Sequence, residues 1–282
     1  MSPRFDRDSS RRWQWPSLLA VVVGVLIVGG VQLFDGGTIA SLVQTPAAII
    51  VFGGTCAATL VSYSPRVIGE AVRAARNAFR GHEEDLDEIS MNLVALAIRA
   101  HRGGLLALEG ELERVRDPFL RNGLTLIVDG VSARTVRDAL RAERAALEAR
   151  EDIPARVFES AAGYAPTLGI LGAVLGLMRV MERLSDASSL GTGIATAFVA
   201  TIYGVGFANL VLLPIAGRLR ERANARSHRR ELIMEALFDV QRRLNPRLVA
   251  QKTRGFVSKI PRVDEVARMI SSTPHAATGT RQ

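Results

Sequence analysis

SAAGYAPTLGILGAVLGLM, residues 160–178, and ASSLGTGIATAFVATIYGVGFANLVLLPIAG, residues 187–217, decide the fold of this chain. Both are free of charge and long enough to cross a bilayer core, which takes roughly 20 apolar residues as a helix. The first carries Pro166 inside an otherwise helical pattern, a break tolerated in lipid where neighbouring helices satisfy the freed carbonyl groups. Small residues recur every four positions, at Gly172 and Gly176 in one and at Ala200, Gly204 and Ala208 in the other. That spacing lets two helix backbones approach closely. The two stretches read as a packed helix pair with polar detail, Thr196, Thr201 and Asn209, set into it.

Outward from this pair, two more uncharged runs appear, one between Arg12 and Asp35 and one between Gly36 and Pro65. The predicted fold class is therefore all-α: a polytopic membrane protein with four transmembrane helices and a helical cytoplasmic insertion between the second and third. The segments are a cytoplasmic N-terminus (1–14), spans at 15–34 and 47–64 joined by a periplasmic loop (35–46), and the insertion (65–159). Spans at 160–181 and 191–217 follow, joined by a second periplasmic loop (182–190). A cytoplasmic helical region (218–260) and a disordered tail (261–282) close the chain.

Charge supports that orientation. The 282 residues carry a formal net charge of +8, but the arginines gather before the first span, between the second and third, and after the fourth. No Lys or Arg lies between the first two spans, and only Arg179 and Arg183 lie between the apolar stretches of the last two. The positive-inside rule places both termini and the insertion in the cytoplasm of a cell whose inner membrane the chain crosses. The basic excess is thus a topology signal, with attraction to anionic membrane lipid as a secondary consequence, and no nucleic acid partner is implied. SRRWQWPSLL at residues 10–19 looks like a twin-arginine leader but reads as the flank of the first span, because no small-residue cleavage site follows.

The insertion shows helical periodicity. Leu86, Ile89, Leu93, Leu96 and Ala100 share one face of a helix over Glu83 to His101, acidic at its start and basic at its end. LLALEGELERVRDP continues with Leu105, Leu108, Leu112 and Val115 on one stripe, and Val131 to Arg150 reads as a charged helix. The single cysteine, Cys56, and the four histidines have no metal-ligand spacing, and no phosphate loop or nucleophile motif occurs. The sequence offers no catalytic residue, no metal site and no cofactor.

No Asp, Glu, Lys, Arg or His falls within the apolar stretches of the four spans. Intramembrane ionisable groups mark ion paths. This chain either conducts nothing or borrows a carboxylate from a partner.

YAPTLGILGAVLGL and SLGTGIATAFVATIYGVGFANLVLLPIAGRL resemble the last two spans of the MotA family, the A subunits of bacterial flagellar stators. The likeness extends through IIVFGGTCAATLVSYS, GLLALEGELE, DPFLRNGLTLIVDG and NPRLVAQKTRGFVSK. It implies a homopentamer around a MotB-type partner, a single-span subunit with an ion-binding aspartate and a peptidoglycan-binding domain. Residue by residue, it implies an ion pathway at Pro166, Thr201 and Pro214, with Thr167 and Ala173 beside it. It also implies a contact with the rotor switch protein FliG through Glu109 and a basic residue, Arg102 with His101 as the alternate. Sodium-driven relatives tend to carry threonine where Ala173 stands and aspartate where Gln44 stands, so the resemblance implies proton flow, with sodium the alternative. An ExbB- or TolQ-like energiser of outer-membrane processes, or a non-conducting membrane scaffold, remain the other readings.

Overall fold

The computed structural model describes residues 42–79, 86–182 and 187–256; the first span expected at 15–34 and the tail at 261–282 lie outside them. All regular structure among the described residues is helical. Helix α1 (Thr45–Ser62) contains a widened π turn at Ile49–Gly53, and Tyr63 then takes an extended conformation. The Ser64 hydroxyl accepts from the Val67 amide and Pro65 occupies the first turn of α2 (Pro65–Ala78), a capped start that fixes the change of direction. Helix α3 (Leu86–Gly103) ends at Gly104, whose φ of 81° suits glycine. A 3₁₀ turn (Leu105–Glu111) follows, and then α4 (Pro118–Val128), capped by the Asp117 carboxylate at 2.8 Å from the Leu120 amide.

The remainder is built from two long helical runs. Helix α5 spans Ala133–Glu182 as one element with Pro154 and Pro166 inside it. Helix α6 (Ala187–Phe207) passes through a π turn (Ala208–Leu212) into α7 (Leu213–Gln241), and a short α8 (Pro246–Lys252) starts at an Asn245 cap. Three helical stretches, Thr45–Ser62, Ala133–Glu182 and Gly193–Gln241, are long and apolar enough to cross a membrane.

Two local expectations change. The charged helix expected to stop at Arg150 runs on through Pro154, because Ala155 is fully buried against Ala75, Ala78 and Leu219 and that packing holds the backbone across the missing N–H. The stripe at Leu105, Leu108, Leu112 and Val115 does face the core, but it starts on a 3₁₀ turn rather than an α-helix. The Gly103–Gly104 break and the three-residue period that buries Leu108 account for the tighter winding.

The described residues divide into two compact units, the first formed by residues 42–79, 151–182 and 187–222 and the second by 86–150 and 223–256. The second unit thus draws on both the insertion and the C-terminal segment. Its core is Leu93, Leu108, Leu124, Ile127, Leu140 and Leu237 with their neighbours.

Candidate functional site

In the first unit, α5 and α6 meet backbone to backbone. A methyl group at Gly204 would sit 2.5 Å from the Ala165 carbonyl oxygen and 3.1 Å from the Pro166 Cα. One at Gly169 would lie 2.9 Å from the Ala200 carbonyl oxygen and 3.4 Å from the Thr201 Cα. Gly176 meets Ala197 and Gly193 at about the same closeness, 3.0 Å from each. The four-residue spacing of small residues therefore does what the sequence implied: the turn carrying Pro166 lies against the turn carrying Thr201.

Thr201 donates its hydroxyl to the Ala197 carbonyl at 3.3 Å, a long bond one turn back that leaves the oxygen's lone pairs open. Thr167, exposed, donates to the Tyr164 carbonyl at 2.7 Å. Ala173 is half-buried two turns beyond Pro166 on the same face. Pro214 is not brought to this group: it is exposed and lies 13 residues beyond Thr201, about 20 Å along a helix. The π turn at Ala208–Leu212 closely precedes it. A widened turn is what a helix needs where a proline has no N–H and crowds the carbonyl four residues back.

Sequence reasoning missed how α1 is tied to α6. The Tyr203 hydroxyl donates to the Leu42 carbonyl, the Gln44 amide lies 3.4 Å from the same hydroxyl, and Thr196 donates to Gln44 Oε1 at 3.3 Å. Phe52, inside the first π turn, packs tilted against Tyr203 and edge-on to Phe207, with ring centroids 5.5 and 5.0 Å apart. In the sequence Gln44 reads only as a marker of the ion; here it is also a structural hydrogen-bonding partner. Its mixed surroundings in the chain carry no signal of the pairing.

The second unit holds the charged candidates. Arg102 and Glu109 are both exposed, and neither forms an ion pair among the described residues. His101 differs: its Nδ1 lies 3.3 Å from the Arg243 carbonyl oxygen. Glu111, close by in sequence, is engaged by Arg99 and by Arg114, the latter at 3.2 Å. Burial holds the Arg99 guanidinium below its usual range, with Arg114 adding to the effect.

With this geometry in place, the chain can be set beside known proteins. A family model described as the MotA/TolQ/ExbB proton channel family matches residues 111–232. Motility protein A of Bacillus subtilis (strain 168) is 32% identical over 237 residues, covering 84% of this chain and 88% of the relative. Chemotaxis protein PomA of Vibrio alginolyticus is 29% identical over 253 residues, 88% and 98% of the two chains. The flagellar MotAB stator complex from Bacillus subtilis superposes with a TM-score of 0.77 at 30% identity, covering 89% of this chain and 98% of that one. The C. jejuni MotAB structure gives 0.80 at 25% identity, covering 88% and 97%. The chain belongs to the MotA/TolQ/ExbB proton channel family. Within it, the named relatives above are motility and chemotaxis proteins, and both solved structures are of MotAB, the Bacillus subtilis one a flagellar stator complex.

Proposed function

We propose that this chain is the A-type, ion-conducting subunit of a flagellar stator, coupling ion flow to torque. Its likeness to motility protein A over most of its length and its fold similarity to MotAB complexes support that reading. The observation that carries the mechanism is the close contact of the Pro166 and Thr201 turns between helices whose apolar stretches hold no Asp, Glu, Lys, Arg or His. Such a wall guides a cation only beside a carboxylate supplied from outside, here the aspartate of a MotB-type single-span partner held in a ring of five copies of this chain.

In this reading the chain crosses the inner membrane four times, the first crossing at 15–34, with both termini in the cytoplasm. Protonation of the partner aspartate removes a charge beside Thr201, whose hydroxyl oxygen is free to accept from the incoming ion. The changed contact shifts the helix carrying Pro166, and the ring advances a step. Ala173 offers no hydroxyl and Gln44 no charge to replace water around sodium, which favours protons as the coupling ion. Pro214 marks the inner end of the last span.

Torque is delivered to the rotor switch protein, FliG, by Glu109 and Arg102. Arg102 takes the basic role over His101 because its guanidinium forms no ion pair among the described residues, whereas the His101 ring faces the Arg243 carbonyl. Exposed charge pairs are individually weak, so the contact is a sum of several.

The test uses a motile host stripped of its own stators and given this chain with a MotB-type partner. Pro166→Leu is expected to abolish swimming and ion leak through the plug-deleted complex while the two subunits still co-purify. Swimming should persist without sodium and stop on collapse of the proton gradient. Ion leak from this chain with no partner present would overturn the borrowed-carboxylate mechanism, and sodium dependence would overturn the choice of ion.

A further inference from the structure

Among the described residues of the second unit, one large apolar side chain is far more exposed than the rest. Of the large hydrophobic residues exposed there among the described residues, Met91 and Leu248 are 39% and 42% accessible, but Leu106 is 73% accessible. An exposed leucine is ordinary by itself. What distinguishes Leu106 is how it is held and what surrounds it.

It sits on the 3₁₀ turn Leu105–Glu111, where residues three apart eclipse one another. Leu105, Leu108 and Glu111 therefore share the inward side, where Leu108 is fully buried and Glu111 is paired with Arg99. Leu106 and Glu109 share another, outward side, and Arg102 lies four residues before Leu106 at the end of α3. The turn is fixed from behind. Gly104 has φ 81°, and a methyl group there would sit 2.8 Å from the Arg243 guanidinium, so the Arg243 side chain closes directly over the glycine. Arg243 itself adopts a positive φ of 54°, and its carbonyl oxygen lies 3.3 Å from His101 Nδ1. A buried leucine plug and an arginine clamp thus present an apolar side chain, four residues after Arg102, on the face that carries Glu109, and neither charge forms an ion pair among the described residues.

We propose that Leu106 is the apolar anchor of a protein docking surface, with Arg102 and Glu109 as its charged rim. The partner it fits is a protein face with an apolar recess bracketed by an acidic and a basic residue. Interface energy concentrates in a desolvated centre, while rim charges set approach and register more than affinity. This rests on the reading of Arg102 and Glu109 as the rotor contact and adds the element that gives it retention. It also assigns His101 and Arg243 as positioning residues of that surface.

The experiment uses the full chain with its MotB-type partner in a stator-free motile host, and reads three quantities: stator dwell time at the motor, swimming torque, and ion leak through the plug-deleted complex. Leu106→Ser and Leu106→Ala are expected to shorten dwell by about five-fold or more and to lower torque, with ion leak unchanged, while Leu106→Met retains most of both. A photocrosslinking residue at position 106 should label a rotor protein. If Leu106→Ser leaves dwell and torque unchanged while Glu109→Lys lowers them, the anchor is overturned and the rotor-contact reading stands. If Leu106→Ser, Glu109→Lys and Arg102→Glu all leave them unchanged, this face is not the rotor contact and both fail. Loss of ion leak in Leu106→Ser, or crosslinks only to lipid or to a second copy of this chain, would likewise overturn the anchor.

Discussion

In the first unit the buried residues around the long helices are mostly small: Ala161, Ala162, Ala165 and Ala208 beside Leu212 in one cluster, Ala47, Val51, Val199 and Ala200 in another. In the second unit they are large, with Leu93, Leu108, Leu124, Ile127, Leu140, Leu232, Ile233 and Leu237 filling one core. The larger side chains of the first unit's apolar stretches, such as Ile170, Val174 and Phe198, point outward instead. Burying a leucine gains nothing against lipid tails that are equally apolar, so close backbone contact between small residues holds such helices together. In water the same burial is worth about 25 cal/mol for each Å² removed from solvent. One chain therefore uses two packing chemistries, and the two units should differ in which substitutions they tolerate.

The largest effect is expected where backbone meets backbone. Gly204→Val would place side-chain atoms inside the contact with Ala165 and Pro166, where even a methyl group falls 2.5 Å from a carbonyl oxygen. Backbone cannot swing aside as a side-chain tip can, so the helices must part. The variant is expected to lose protease-resistant chain in the membrane and all swimming. Gly206→Ala, two residues away, where the added methyl would meet no described atom within 4 Å beyond its own stretch of helix, should accumulate normally. Equal accumulation of the two variants would show that α5 and α6 are not held by this approach.

That contact was legible in advance because periodicity reports on it. Gly172, Gly176, Ala200 and Gly204 stand out against leucine and valine, and the structure puts each of them at the α5–α6 approach. The charge-free length of the three described apolar stretches was equally plain. Pairings between distant residues left no such mark. Nothing in the sequence announces that Tyr203 reaches Leu42, that Asp117 both caps α4 and meets Arg229, or that Ser227 meets Glu148. The contact between the His101 ring and the Arg243 carbonyl left no mark for the same reason. It turns on the left-handed backbone of Arg243, 142 residues beyond His101.

The second unit should respond to loss of volume as well as to gain. Leu237 is fully buried, and a methyl group at Gly123 would collide with its Cδ1. Leu237→Ala is expected to cost about 2–5 kcal/mol through lost burial and the cavity left behind. Gly123→Ala alone should also destabilise, because the Leu237 tip it displaces is locked in a core. Combined, the two should be much less harmful than their sum, since the added methyl enters the space the leucine vacates. Thermal unfolding of the detergent-solubilised variants gives the cycle. Strict additivity would mean that Gly123 and Leu237 do not share that space.

The smallest effect concerns charge, which the second unit uses and the apolar stretches lack. Glu148 accepts hydrogen bonds from the Ser227 hydroxyl and from Arg144 Nε, the latter at 2.6 Å, and these bonds hold its carboxyl below the usual glutamate range. A folded pKa below the unfolded one means a stabilisation that is full above the unfolded value, roughly 4.3, and is lost as pH falls through the folded value. Glu148→Gln keeps a partner for Ser227 but removes the charge. It should therefore be slightly less stable than the parent at neutral pH, with the difference closing in acid. The carboxylate is 37% exposed, so solvent screening keeps the gap below about 1 kcal/mol. A melting-temperature difference that stayed constant from neutral pH down past the glutamate range would mean that the Ser227–Glu148–Arg144 bridge stabilises by shape and not by charge. The polar network of the second unit would then resemble the uncharged contacts of the first more than its composition suggests.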